Sequence, residues 1–197
     1  MVIFISILLG VPSPVIAIQI LWLNLVTDVF PALAMAWETP EGDIMKRVPR
    51  THGEPIITNS HKIKILFQGL ILTLDPLLAY LISYDKGFTL EESRTIVFTT
   101  LALVQLFHVF NVRKKNGLGF DKALIKNGYL WGAFVITFLL QMLAVYAPFL
   151  QTVLHTIPIT MEMWYYVGVG TIGPLIFLQL VAAVKVAVKT RRSFIVN

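Results

Sequence analysis

The chain has 197 residues, 56% of them hydrophobic, no cysteine and a formal net charge of +5. Its mean hydropathy of +0.76 belongs to a membrane protein and excludes a soluble domain built round a large core. Without cysteine, disulfides and thiolate metal sites are excluded as well.

In chain order, Met1–Leu9 is mostly apolar and runs into Gly10-Val11-Pro12-Ser13-Pro14, a helix stop. Nine residues of helix measure only about 14 Å, roughly half of a bilayer core. A signal peptide is the alternative, but it needs a basic start, and the first Lys or Arg is Lys46. Apolar spans follow at Val15–Trp37, Ile63–Tyr84, Thr95–Val112, Tyr129–Leu150 and Trp164–Val188. Each is long enough to cross a hydrocarbon core of about 30 Å, Thr95–Val112 only just. Tyr80, Tyr84, Tyr129, Trp131, Trp164, Tyr165 and Tyr166 lie near span ends, as an interfacial aromatic belt does.

All Lys and Arg residues except Lys86 and Arg94 lie in or beside 38–62, in 113–128, or from Lys185 onward. The positive-inside rule therefore places those two loops and the C-terminus in the cytoplasm. Topology accounts for the positive charge, and no nucleic-acid partner is expected. With Val15–Trp37 running inward, the segment before it runs outward and Met1 falls near the midplane. The expectation is a chain that lacks the first half of this helix and whatever preceded it.

The span 15–37 carries the densest chemistry: Asn24-Leu25-Val26-Thr27-Asp28-Val29-Phe30-Pro31. An ionisable group at that depth is expensive and marks a functional site. Asn24 and Asp28 are i, i+4 and Thr27 is i+3 from Asn24, so a regular helix turns all three to one side. Pro31 has no N–H, and its ring displaces the carbonyl of Thr27. A cluster of oxygens in a low-dielectric place is what hard cations bind, and transporters place ions at broken helices near the midplane. The competing reading is a polar helix–helix contact.

Other intramembrane polar groups are sparser. Asp75, in Leu74-Asp75-Pro76, reads either as part of a proton path or as a carboxyl beside a kink, facing a polar interior or accepting a bond from a neighbouring helix. Gln105 and His108 are i, i+3 on one face. Gln105 reads as a ligand, and His108 as a proton or gating residue or as a neutral histidine bonded within the bundle. Asn111, one turn on, reads as a cap or packing residue. Gln68, Gln141 and Gln179 read as interhelical hydrogen bonds, and Gly173-Pro174 as a bend in the last helix. His52 and His61 are too isolated for a zinc site.

Gln19-Ile20-Leu21-Trp22-Leu23-Asn24-Leu25-Val26-Thr27-Asp28, with Pro31-Ala32 after it, resembles the sixth transmembrane helix of P-type cation ATPases, the calcium-pump branch above all. Gly42-Asp43-Ile44-Met45-Lys46-Arg47-Val48-Pro49-Arg50 and Glu54-Pro55-Ile56-Ile57 resemble the cytoplasmic loop that follows. The match is specific over about residues 19–57, and hydropathy and loop order extend it to the C-terminus. The resemblance implies an all-α polytopic helix bundle, five full transmembrane helices after a truncated one. Residues 1–197 would then be the C-terminal transport domain of a pump, with 38–62 a cytoplasmic loop that contacts the phosphorylation domain.

The resemblance also assigns roles. Asn24, Thr27 and Asp28 match cation-ligand positions, and Gln105 stands where two-site calcium pumps have a glutamate, which implies one ion per cycle. The transported cation would be Ca2+, with Mn2+ and Na+ open. ATP and Mg2+ would act only in the intact pump, since the D-K-T-G-T and T-G-E motifs do not occur here; this chain alone should not hydrolyse ATP. Its partners would be the lipid bilayer, the cation and the N-terminal pump domains, in a bacterial plasma membrane. The alternatives are a free-standing structural or regulatory membrane protein, a separately encoded half of a pump, or an inert product of a broken gene.

Overall fold

The computed structural model describes residues 1–38, 45, 48–49, 53, 55–112 and 127–195, with side chains as far as 184. The motif Gly42–Arg50 and His52 therefore lie largely outside the described residues, as do the basic residues of 113–126. The described residues form helices and turns with no strand. Five helices are long and apolar enough to cross a membrane, and a shorter one precedes them, which matches the expected architecture.

Helix α1 (Val2–Leu8) ends at Gly10, whose φ of +68° lets the chain reverse. Its N–H reaches the Ile7 carbonyl and that of Val11 reaches Ser6, so two terminal carbonyls find partners. The first full span is broken into three pieces. α2 (Ala17–Trp22) passes into a π-helical segment (Leu23–Asp28), and α3 (Val29–Ala36) completes it. Pro31 lies in the first turn of α3, so the missing N–H and the crowded ring are absorbed by the widened stretch before it.

Helix α4 (Asn59–Asp85) starts at Thr58, whose hydroxyl accepts from the His61 N–H, and stops at Gly87 with the same paired-carbonyl turn as α1. Helix α5 (Leu90–Val112) begins earlier than the apolar run alone suggests. Thr89 and Glu92 form a reciprocal cap: Glu92 accepts from the Thr89 N–H at 2.7 Å, and the Thr89 hydroxyl accepts from the Glu92 N–H at 3.2 Å. The next span is shorter than expected. α6 (Gly128–Tyr146) ends at Ala147, and Pro148 opens a separate helix, α7 (Pro148–Leu154). Proline suits a first helical position because no N–H is needed there. Helix α8 (Met161–Ile195) carries Pro174 in its interior.

Helix α5 is the centre of the bundle, packed on α4, α6, α8 and the π segment. Ile96, Val97, Phe98, Ala102 and Val104 are fully buried, as are Thr95, Thr99 and Thr100. The Thr95 and Thr100 hydroxyls bond backward along their own helix, to the Glu91 and Ile96 carbonyls, while that of Thr99 has no partner among the described residues. Glycine sets the closest approach. A Cβ at Gly170 of α8 would lie 2.9 Å from Thr100 Cγ2 and 3.5 Å from Ala79 Cβ, so α4, α5 and α8 meet at one point without a side chain between them. Outward residues such as Leu66, Leu139, Val169 and Ile176 are exposed and apolar, as lipid contact requires.

Polar bonds stitch the end of the bundle that holds the α1–α2 turn. Tyr80 donates to the Pro12 carbonyl at 2.9 Å, and Arg94 Nε to that of Ser13 at 2.9 Å. Tyr80 is fully buried, which removes it from the expected aromatic belt: its hydroxyl serves the turn rather than the interface. Tyr84, Tyr129 and Tyr165 remain exposed. Gln19, wholly buried, accepts from the Ile16 N–H at 3.2 Å and donates to the Leu154 carbonyl at 3.0 Å. Gln19→Leu should destabilise the bundle by about 1–3 kcal/mol, the cost of orphaning buried polar groups. Reversible denaturation in mixed micelles reads this directly; an unchanged midpoint would show that the Gln19 bonds contribute nothing net.

Candidate cation-binding site

The π segment decides how the polar residues of the first span are presented. A wider turn puts a smaller angle between successive residues, so positions four apart still share a face while positions three apart diverge. Asn24 and Asp28 both lie on the exposed side. Thr27 is buried at 2% exposure, and its hydroxyl donates to the Leu23 carbonyl. The single shared face expected for all three thus divides into an Asn24–Asp28 edge and an inward Thr27. The Thr27 oxygen keeps its lone pairs, and Pro31 leaves the Thr27 carbonyl without the N–H four residues on. The segment therefore offers a carboxylate, an amide, a hydroxyl and a displaced carbonyl within two turns.

Asn24 lines a cavity of about 330 Å³ together with Gln105, Thr73, Gly69, Leu23 and Leu72. Gln105 comes from α5, so two of the expected ligand residues face one space from two helices. The Gln105 Oε1 atom is shielded from solvent and accepts no hydrogen bond. An amide oxygen left free beside a cavity is available to a cation or to water. Asp28 and Thr27 do not line this cavity; they lie further along the π segment toward α3.

His108 stands one turn further along α5, half-buried, with Nδ1 unpartnered. Asp75 is on α4, with Oδ2 shielded and unpartnered. It does not line the cavity: Gly173 of α8 lies beside it, and a Cβ there would sit 3.4 Å from Oδ2. Among the described residues, no group of three His, Asp or Glu side chains is placed to hold a metal. Any cation held here would therefore rest on a mixed set of amide, hydroxyl, carbonyl and a single carboxylate.

The remaining amides behave as interhelical links. Gln141 accepts from Trp22 Nε1 at 3.1 Å, joining α6 to α2. Gln179 donates to Asn111, which makes Asn111 a partner between α8 and α5 rather than a cap. Gln19, Tyr80 and Arg94 escape a sequence reading because their acceptors, Leu154, Pro12 and Ser13, are distant in the chain. For Gln19 one local signal exists: it lies three residues after Ile16, the spacing of a helix start.

Comparison with known proteins follows the same lines. Residues 12–184 match the family model described as "Cation transporting ATPase, C-terminus". The chain is 39% identical over 168 residues to a calcium-transporting ATPase of Bacillus subtilis, covering 85% of the chain and 19% of the relative. It is 29% identical over 199 residues to calcium-transporting ATPase 1 of Bacillus cereus, covering 92% and 22%. Against the plasma membrane-type calcium-transporting ATPase 8 of Arabidopsis thaliana it is 34% identical over 169 residues, covering 81% and 16%. The chain thus spans about a fifth of the length of the relatives it matches.

Proposed function

The chain belongs to the P-type cation-transporting ATPases, as their C-terminal membrane region, and from that premise we propose that it supplies part of the cation-binding wall of an ATP-driven calcium pump. The observation that carries this reading is the cavity shared by Asn24 and Gln105 beside the π-helical turn. The names of the relatives favour Ca2+ over Mn2+ and Na+. In this reading the transported cation is held by Asn24, Thr27 and Asp28, with Gln105 completing the wall from α5. The edge formed by Asn24 and Asp28 faces outward, and helices from the rest of the pump would close it with further ligands. The C-terminus and the loops 38–62 and 113–128 lie in the cytoplasm, in a bacterial plasma membrane.

The mechanism follows from the chemistry of these groups. Calcium takes several oxygens in a flexible arrangement, and a π turn can change its carbonyl directions without breaking the whole helix. Phosphorylation elsewhere in the pump would shift α2 and α3, withdraw the Thr27 carbonyl and hydroxyl from the ion, and leave Asp28 to be screened by water as the ion departs. A neutral amide at Gln105 attracts a divalent cation less than a carboxylate does, so the site holds a single calcium ion per cycle.

ATP-dependent calcium uptake into vesicles carrying the full-length polypeptide tests this. The expected result is uptake of one calcium ion per ATP hydrolysed, and Gln105→Glu should raise that ratio by strengthening a second site. Uptake of no cation at all refutes the pump reading. An unchanged ratio in Gln105→Glu refutes the single-ion assignment.

A further inference from the structure

Asp75 is an intramembrane carboxyl that the cation wall does not use. We propose that it is a proton-binding site at the crossing of α4 and α8, holding its proton as a neutral acid beside Gly173.

The argument rests on what surrounds the carboxyl. One oxygen, Oδ2, is shielded from solvent and has no hydrogen-bond donor. It lies against the bare backbone of Gly173 on α8, where a Cβ would come within 3.4 Å. Both helices carry a proline at the next position, Pro76 after Asp75 and Pro174 after Gly173. Each proline removes the N–H that would bond the carbonyl four residues back, which frees the carbonyls of Leu72 and Gly170. The prolines thus add acceptors near the crossing, while no donor among the described residues reaches Oδ2. A carboxylate needs donors, and without them its burial is costly. A carboxylic acid carries an O–H, which such carbonyls accept.

No charge nearby offers an alternative. On α4 the ionisable groups His61, Lys62, Lys64, Tyr84 and Asp85 lie toward its two ends, and the Tyr80 hydroxyl is tied to the Pro12 carbonyl. On α5, Arg94 is tied to the Ser13 carbonyl at the far end, and His108 stands toward the opposite end. The described part of α8 has no ionisable side chain able to donate a charge between Glu162 and Lys185 apart from its tyrosines near the start. Helix α1, also packed on α4, has none. A metal ion in place of the proton would need several oxygens, and among the described residues Asp75 belongs to no group of three His, Asp or Glu side chains that could hold one. The exchange is simple in balance: the acid O–H bond breaks, the proton passes to water, and a carboxylate remains. It requires water to reach the carboxyl.

Infrared spectroscopy of the full chain in lipid nanodiscs at neutral pH tests the proposal without any reference to pumping. A protonated-carboxyl band that shifts in D2O is expected in the unaltered chain and in Asp28→Asn, and its loss is expected in Asp75→Asn. Absence of the band, or its loss in Asp28→Asn alone, overturns the assignment. Should Asp75→Asn fail to fold, Gly173→Ala serves instead, because its methyl group would sit in contact with Oδ2, 3.4 Å away, while the carboxyl is kept. The band should then move, and one that stays in place overturns the location in the notch.

Discussion

Asp28→Asn in the full-length polypeptide should abolish calcium-dependent phosphorylation from ATP over the ordinary calcium range and lower apparent calcium affinity by more than about 100-fold. Outer-shell partners of a metal are worth roughly 10–100-fold when removed, and in the proposed site Asp28 is a direct ligand. It is also the only carboxylate of the span 17–36, so its loss leaves the wall with neutral oxygens. Asparagine keeps the shape and half of the acceptor capacity, which confines the change to charge. Phosphoenzyme formation titrated with calcium is the measurement. The π segment should survive, because Pro31, which removes a backbone N–H just after it, is kept. Unchanged calcium dependence in the variant would remove Asp28 from the ligand set.

The second large effect is expected at the point where three helices meet. Gly170→Ala places a methyl 2.9 Å from Thr100 Cγ2. Alanine is favoured over glycine in a helix by about 1 kcal/mol, while overpacking a filled core costs about 1–3 kcal/mol. The sign depends on whether Thr100 yields. Its side chain is fully buried and its hydroxyl donates to the Ile96 carbonyl at 2.7 Å, so rotation would break that bond inside the core. Net destabilisation is expected, and Gly170→Leu should exceed it and keep α8 from docking on α5. The double variant Gly170→Ala, Thr100→Ser removes the obstructing methyl, keeps the hydroxyl, and should recover most of the loss. Denaturation midpoints of the four proteins in micelles form the cycle. Stability gained by Gly170→Ala alone would mean that the contact is looser than the geometry describes.

The spans were legible because apolar runs of this length have few other uses, and the helix stop at Gly10 was legible because glycine adopts the positive φ that the turn needs. Span ends were less so. The start of α5 follows Thr89 and Glu92, polar residues outside the apolar run, and the end of α6 follows Pro148, which the run passes over. Tyr80 looked interfacial because tyrosine often is; only the folded chain brings the Pro12 carbonyl to its hydroxyl. At the candidate site, the residue types were readable and their directions were not. A period of 3.6 residues puts Thr27 beside Asn24, and the π geometry turns it inward. The meeting of Asn24 with Gln105 across one cavity was likewise invisible, since it depends on how α5 passes the π segment.

The π segment lies between two anchored stretches. On one side α2 is fastened through Gln19 to Leu154 and through Trp22 to Gln141. On the other, the end of α3 is fastened by Asn127 to Glu38 at 2.5 Å, and α3 packs on α6. Between these clamps Leu23–Asp28 is the stretch that departs from regular α-helix, so a displacement applied at the Glu38 end is expected to gather there. The residues with the oxygens thus sit where a small push at a distant end is converted into rotation, and a lever arm of α3 sets the gain.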